Sequence, residues 1–187
     1  MPMVEVQTAE TGVRDRALRR LITRTRLRRR IKEMAVQIRG DYQESRPVLV
    51  GVLKGAFVFL ADLIRALDIP LEVDFIQVSS YGSDTKSSGE ITIGHHITAD
   101  IAGRPVLLVE DIVDTGLTMD VIRRYLEERG AAEVRVCALL ARRSALKAGA
   151  RIDYLGFAIP EGFVVGYGLD YAQQYRYLPE IFVLEEA

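Results

Sequence analysis

Residues 106–119 read VLLVEDIVDTGLTM. Val106, Leu107, Leu108 and Val109 follow Pro105 and precede acid, with the length and β-branched content of a central strand buried on both faces. Glu110 and Asp111 then fall at its carboxyl end, where open α/β sheets place their ligands. Asp114, Thr115, Gly116, Leu117 and Thr118 form a small-residue turn. Gly116 permits a left-handed or cramped backbone, and the threonine hydroxyls can add to a ring of amide donors. The helix expected over 118–129 aims its N-terminus at the same spot, so a phosphate there would meet free N–H groups and the positive end of the helix dipole. Acid above and an anion cradle below suggest a sugar phosphate.

A strand, a glycine-containing turn and a helix also make an ordinary βα unit, and acid pairs at strand tips are often only solvated. The order of residue types sets this stretch apart: two adjacent acids, two apolar residues, a third acid, then Thr-Gly-x-Thr. Competing phosphate loops do not fit, since the chain has no G-x-x-x-x-G-K-[ST] and no G-x-G-x-x-G after a strand.

At 187 residues the chain is most simply one domain, able to bury roughly 70% of its unfolded surface. Its 25 Lys and Arg balance 26 Asp and Glu, so bulk electrostatics names no partner. Cys137 is the single cysteine and lies in an apolar run. It reads as a buried structural thiol rather than a nucleophile. The longest apolar segment, 55–67, is interrupted by Asp62 and Arg65 and is too short to span a bilayer. Residues 4–10 offer no apolar core for a signal peptide. A soluble, reducing, cytoplasmic setting is the expectation.

Between Arg14 and Lys32 there are ten Arg or Lys and one acid, Asp15. Leu27, Ile31, Met34 and Ile38 recur at helical spacing, which predicts a helix over 24–39 with one apolar stripe and a basic remainder. Thr23 is its N-cap, and Arg24 and Arg26 oppose the dipole, a cost that something else must offset. Nucleic acid is one reading of this helix. A solvated or subunit-facing helix is the preferred one, because no aromatic residues interleave with the arginines. Pro47 opens a second buried strand, 48–53, which breaks at Lys54-Gly55 and passes into an apolar helix, 56–67. A lysine at a strand tip beside a glycine suits a pyrophosphate, or is simply a βα turn. Leu71, Val73, Phe75 and Val78 form a strand that runs into SSYGSDTKSSGEI, residues 79–91, whose six Ser or Thr and two Gly cannot build a core and predict a mobile loop. His95 and His96 follow on a returning strand, where neighbours face opposite ways. They are therefore a poor metal pair and read as structural. Gly130 ends the helix after the central motif, 134–140 is a further buried strand, and 154–159 and 163–167 are short β segments. Alternating strands and helices with tips at Lys54, Glu110 and Arg142 imply an α/β fold: a parallel central sheet with helices on both faces.

The acid-acid-x-x-Asp-Thr-Gly-x-Thr order resembles the 5-phosphoribosyl-1-pyrophosphate (PRPP) motif of the type I phosphoribosyltransferases. Within them, LKGAF at 53–57 looks like the pyrophosphate loop of the hypoxanthine-guanine phosphoribosyltransferases, and FVVGYGLDYAQQYR at 163–176 resembles their purine-binding end. The resemblance covers residues from about 21 to 185. It implies a single domain, 21–187, with a small hood built from the terminal segments and an N-terminal extension, 1–20. It further implies that Lys54, Gly55 and Arg176 bind pyrophosphate, with a peptide between Leu53 and Lys54 that can be cis. Glu110 and Asp111 would hold the ribose hydroxyls and share a magnesium site with Asp170. Asp114 would be the catalytic base and the residues through Thr118 would bind the 5'-phosphate. Phe163 would stack on the base and Val164 would present main-chain groups to its edge. Ser80 and Tyr81 belong to a loop that closes over the site, protecting PRPP from water. Where the family carries a lysine that reads the purine six-oxygen, this chain has Arg142, with Arg143 as the alternative counterpart. Arginine is planar, longer and forked, so the exchange is not conservative.

The implied reaction is Mg2+-dependent transfer of phosphoribosyl from PRPP to hypoxanthine or guanine, in a homodimer or homotetramer. A xanthine-preferring transferase and a non-catalytic RNA-binding regulator on the same fold are the alternatives. Complete retention of the leaving-group residues disfavours nucleic acid.

Overall fold

A computed structural model describes residues 17–80 and 91–185. The chain runs through β1 (Leu18–Ile22), α1 (Arg24–Tyr42), β2 (Val48–Leu53), α2 (Phe57–Leu67), β3 (Glu72–Ser80), β4 (Ile91–His95) and β5 (Pro105–Val113). It continues as α3 (Leu117–Glu128), β6 (Glu133–Arg142), α4 (Arg143–Lys147), β7 (Tyr154–Ile159), β8 (Val164–Val165) and β9 (Ile181–Leu184). One sheet has the order β4-β3-β2-β5-β6-β7, and a smaller antiparallel one has the order β1-β9-β8.

The expected parallel sheet is found in five strands, while β4 runs antiparallel to β3 at the edge. The reason is length: ten residues separate β3 from β4, fewer than the dozen or so a parallel crossover requires. The direction of winding reverses at the sheet centre. β2 passes through α2 to β3 on one side, and β5 passes through α3 to β6 on the other. Right-handed crossovers made in opposite directions place their helices on opposite faces. Leu27 and Ile38 of α1 and Phe59 and Leu63 of α2 accordingly pack with Leu49 and Leu107, whereas Ile122 and Leu126 of α3 pack with Val50, Leu108 and Val136. Covered on both sides, β2, β5 and β6 are apolar at nearly every buried position. The β2/β5 boundary is the topological switch point, the place where such sheets open a crevice.

β5 runs four residues past the expected strand end. Its pairing with β2 stops at Val109, but its pairing with β6 continues from Glu110↔Ala138 to Val113↔Ala141 because β6 is longer too. Helix α1 likewise extends to Tyr42 rather than residue 39. The Thr23 hydroxyl oxygen accepts from Arg26 N at 3.3 Å. The electrostatic cost of Arg24 and Arg26 is offset by Glu180, whose carboxylate accepts from Arg24 N at 3.1 Å and pairs with Arg20 at 2.7 Å. Other arginines of α1 fasten the fold. Arg30 donates to the carbonyls of Leu155 and Gly156, Arg39 to those of Ala66 and Leu67, and Arg26 sits 5.8 Å from the Phe157 ring centroid.

The expected strand over 163–167 shortens to β8, because Gly166, Tyr167 and Gly168 all take positive φ, at 95°, 54° and 101°. β1 begins at Leu18 and crosses the expected boundary at residue 20. Cys137 is fully buried, and burial pushes its thiol up, away from the reactive thiolate. His96 Nδ1 lies 2.8 Å from the Tyr125 hydroxyl, so that histidine serves structure. Among the described residues no helix is long and apolar enough to cross a membrane.

Asp74 of β3 is a buried carboxylate that fastens the segment after β4. It accepts from the backbone N–H groups of Thr98, Ala99 and Phe75 at 2.6, 2.8 and 2.7 Å, and from the Thr98 hydroxyl at 3.2 Å. Burial by itself raises its pKa, but these donors outweigh burial and hold the carboxyl below the usual carboxylate range. A lowered folded-state pKa stabilises the protein above the unfolded-state pKa, and the contribution is lost as pH falls through the folded one. Asp74→Asn, which brings an NH2 group against amide donors, is expected to lower unfolding free energy by about 1.5–3 kcal/mol at pH 7. Urea titrations of both proteins should show the gap narrowing in acid. An equal gap at pH 7 and pH 3 would remove the charge from this account.

Candidate active site

The carboxyl ends of β2, β3, β5 and β6 and the segment after β8 surround a cleft of about 540 Å3. Lys54 and Gly55 enter from the turn after β2, Gln77 from β3, and Asp111, Ile112 and Asp114 from the end of β5. Arg142 enters from the end of β6, and Phe163, Val164, Leu169, Asp170, Gln173 and Arg176 complete the lining. The peptide between Leu53 and Lys54 is cis, as the resemblance implies.

Close approach at the switch point depends on two glycines. A Cβ on Gly55 would lie 1.7 Å from Asp111 Oδ2, and one on Gly168, where φ is 101°, would lie 2.3 Å from the Gly55 carbonyl oxygen. The segment after β8, the turn after β2 and the acid on β5 thus stack with no side chain between them. Glu110 and Asp111 are 8% and 7% exposed. Burial raises both carboxyls above their ordinary range, Glu110 furthest because the Asp111 charge adds to the burial. Asp111 lines the cleft, and its Oδ1 accepts from Ile112 N at 3.0 Å. Glu110 lies behind it, with a buried Oε2 that has no partner among the described residues.

Asp114 has a side chain 72% exposed, and Arg142 beside it is 10% exposed. Arg142 donates its Nε–H to Asp114 Oδ1 at 3.2 Å and an Nη1–H to the Pro160 carbonyl at 2.7 Å. Arg143 is exposed at the start of α4 and does not line the cleft, whereas Arg142 does. Phe163 is 50% exposed, with its ring edge-on to Tyr171 at 5.4 Å and 87°. As an aromatic strand residue it would ordinarily be core, but here it presents a ring to the cleft. Val164 keeps its side chain in the core, 6% exposed. Asp170 pairs with Arg176 at 2.7 Å and accepts from Gln173 N at 2.8 Å, while Arg176 also donates to the Gly168 carbonyl at 2.7 Å. Ala172, Gln173 and Tyr175, all at positive φ, form the cramped curl that folds Arg176 back onto Asp170.

Thr115, Gly116, Leu117 and Thr118 do not line this cleft. They form the turn from Asp114 into α3, where Gly116 is the N-cap with φ 92° and the amides of the first helical turn lack carbonyls of their own helix ahead of them. Ser80 ends β3, and Tyr81 with the rest of the expected closing loop, 81–90, lies outside the described residues. Gln77, Ile112, Leu169 and Gln173 line the cleft without having been anticipated. The available signals were the place of Gln77 at the carboxyl end of a parallel strand and the place of the other three inside the quoted stretches 106–119 and 163–176.

The donor set suits a hard cation. Asp111 and Asp170 line one cleft with Lys54, whereas Glu110, buried behind Asp111, does not line it. Among the described residues no group of three or more His, Cys, Asp or Glu forms a complete metal cage. Asp111 and Asp170 could serve a cation such as Mg2+, which keeps several waters and is commonly bound by one or two carboxylates together with substrate phosphates.

A larger groove of about 840 Å3 lies between α1, α2 and residues 176–179 and shares Arg176 with the cleft. Its one carboxylate, Asp62, accepts from the Tyr167 hydroxyl and pairs with Arg65, so the groove offers no uncommitted acid for the chemistry.

A family model described as the phosphoribosyl transferase domain matches residues 22–172. The hypoxanthine-guanine phosphoribosyltransferase of Bacillus subtilis is 44% identical over 167 residues, covering 89% of this chain and 93% of that one. The Aquifex aeolicus protein of the same name is 45% identical over 175 residues, covering 93% and 98%. A crystal structure of a hypoxanthine phosphoribosyltransferase from Staphylococcus aureus superposes with a TM-score of 0.84 at 40% identity, covering 89% of this chain and 90% of that one.

Proposed function

The chain belongs to the hypoxanthine-guanine phosphoribosyltransferases, and from that premise we propose that its cleft transfers the phosphoribosyl group of PRPP to a six-oxopurine. The products are IMP or GMP and pyrophosphate. The observation that carries the reading is the convergence of Lys54, Asp111, Asp114 and the exposed Phe163 ring on one cleft at the sheet's switch point.

The base lies against Phe163, with main-chain groups of Val164 at its edge. Lys54, the Gly55 amide and Arg176 hold the pyrophosphate, and the amides of 115–118 hold the 5'-phosphate at the N-terminus of α3. Asp111, backed by Glu110, orients the ribose hydroxyls. As the bond from the anomeric carbon to pyrophosphate lengthens, the ribose becomes cationic and the leaving group gathers charge. Fixed donors and carboxylates placed there stabilise both without reorganising. Asp114 accepts the proton from the seven-position nitrogen of the purine as the nine-position nitrogen attacks the anomeric carbon, or returns it in reverse, a role worth ~100- to 10,000-fold. Asp111 and Asp170, with Glu110 behind Asp111, would hold Mg2+, which would supply positive charge to the departing pyrophosphate. The same reading places the enzyme in the cytoplasm as a homodimer or homotetramer, for which the exposed Phe57 and Tyr177 of the larger groove supply apolar surface. Of the α1 arginines that suggested nucleic acid, Arg26, Arg30 and Arg39 are engaged in fold contacts, while Arg24, Arg28 and Arg29 stay exposed.

Arg142 offers N–H donors and no acceptor. It therefore suits a six-oxo group and disfavours the six-amino group of adenine. Product formation from PRPP and Mg2+ with hypoxanthine, guanine, xanthine and adenine supplied separately tests this. Turnover of hypoxanthine and guanine with adenine a poor substrate is expected. Efficient adenine conversion would remove the donor role from Arg142, and turnover of xanthine alone would transfer the chain to the xanthine-preferring enzymes.

A further inference from the structure

We propose that Arg142 is a positioning residue for Asp114, and that it ties the proton carrier to the segment that receives the base. The inference rests on the reading of Asp114 given above. Arg142 is the last residue of β6, and its side chain is nine-tenths buried, so packing fixes the guanidinium. Asp114, by contrast, is mostly exposed, and among the described residues Arg142 is its one side-chain partner. An exposed aspartate samples several rotamers on its own. The Nε–H···Oδ1 contact holds this one toward the cleft. At the same time Nη1 is anchored on the Pro160 carbonyl, three residues before Phe163. One rigid plane therefore sets Asp114 relative to the start of the base-stacking segment, and Nη2 has no partner among the described residues, leaving it available to a base.

A lysine cannot reproduce this. Its donors radiate from a single atom on a flexible stem, whereas here two separate nitrogens of a planar fork serve two partners. The arginine is thus more than a longer substitute for a lysine that reads the base. It carries an additional structural duty toward the acid that moves the proton, and misplacing that acid by an ångström suffices for a loss on the order of 100-fold.

Steady-state kinetics with hypoxanthine on wild type, Arg142→Ala, Arg142→Lys, Asp114→Asn and the Asp114→Asn/Arg142→Ala double variant tests the proposal. Both Arg142 variants should lose roughly tenfold or more in kcat while KM for PRPP stays within about twofold. In the Asp114→Asn background the Arg142→Ala change should be nearly silent in kcat, because the two residues act as a unit in the proton transfer. Added guanidinium ion should restore part of the kcat of Arg142→Ala but not that of Asp114→Asn, a response that a folding defect would not give. An active wild type whose Arg142 variants keep kcat and lose only affinity for the base would overturn the positioning role alone. So would fully additive losses in the double variant. A wild type inactive with every base would overturn the functional reading and the proposal together.

Discussion

Gly55→Ala is expected to lower kcat/KM on the order of 100-fold while leaving the protein folded. The added methyl carbon would begin 1.7 Å from Asp111 Oδ2, far inside van der Waals contact. Relief by moving the turn away from Asp111 is blocked from the other side, where Gly168 already packs so tightly on the Gly55 carbonyl that its own Cβ would stand 2.3 Å away. The Asp111 carboxylate must therefore swing out of place, and with it go the proposed ribose and metal contacts. Kinetics together with a thermal melt check this. Activity within about threefold of wild type would mean that Asp111 has a second productive position and that the stack is not required.

Asp114→Asn should leave PRPP binding largely intact and reduce turnover by roughly tenfold or more, within the range of general acid–base catalysis. The amide is nearly isosteric and can still accept from Arg142 Nε through its oxygen, so the geometry survives while the proton-accepting capacity does not. Asp114 is 72% exposed and stands at the end of a strand whose fold contacts are made by its neighbours, so stability should hardly change. PRPP titration and single-turnover chemistry separate the two effects. Unchanged turnover would remove Asp114 from the mechanism, and lost PRPP binding with an unchanged chemical step would reassign it to substrate binding.

The parts of this molecule visible in its sequence are those with short-range causes. β2, β5 and β6 announce themselves as apolar runs because helices cover both faces of the sheet, and Lys54, Asp111 and Asp114 stand out as polar tips of those runs. Thr23, as N-cap of α1, is likewise a local matter. What stayed hidden depends on partners far along the chain. β1 pairs with β9 across more than half the chain, as in Leu18↔Leu184, and strands of two to five residues carry too little periodicity to betray it. The continuation of β5 past Val109 is set by the length of β6, and the reversal of β4 by the shortness of its connection. The site shows the same division. Phe163 faces the cleft at the entry to β8, half exposed, where an aromatic in an apolar run would be read as core. The Arg142–Asp114 contact joins residues 28 apart, and no motif spacing encodes it.

Transfer from PRPP to a base at this cleft is tested most directly by quantifying nucleotide and pyrophosphate together, from purified protein incubated with Mg2+, PRPP and hypoxanthine, with and without a chelator. One IMP for each pyrophosphate, abolished by the chelator, is the expected result. Pyrophosphate without IMP, or no reaction while PRPP still binds, would contradict phosphoribosyl transfer and bring forward the non-catalytic RNA-binding alternative.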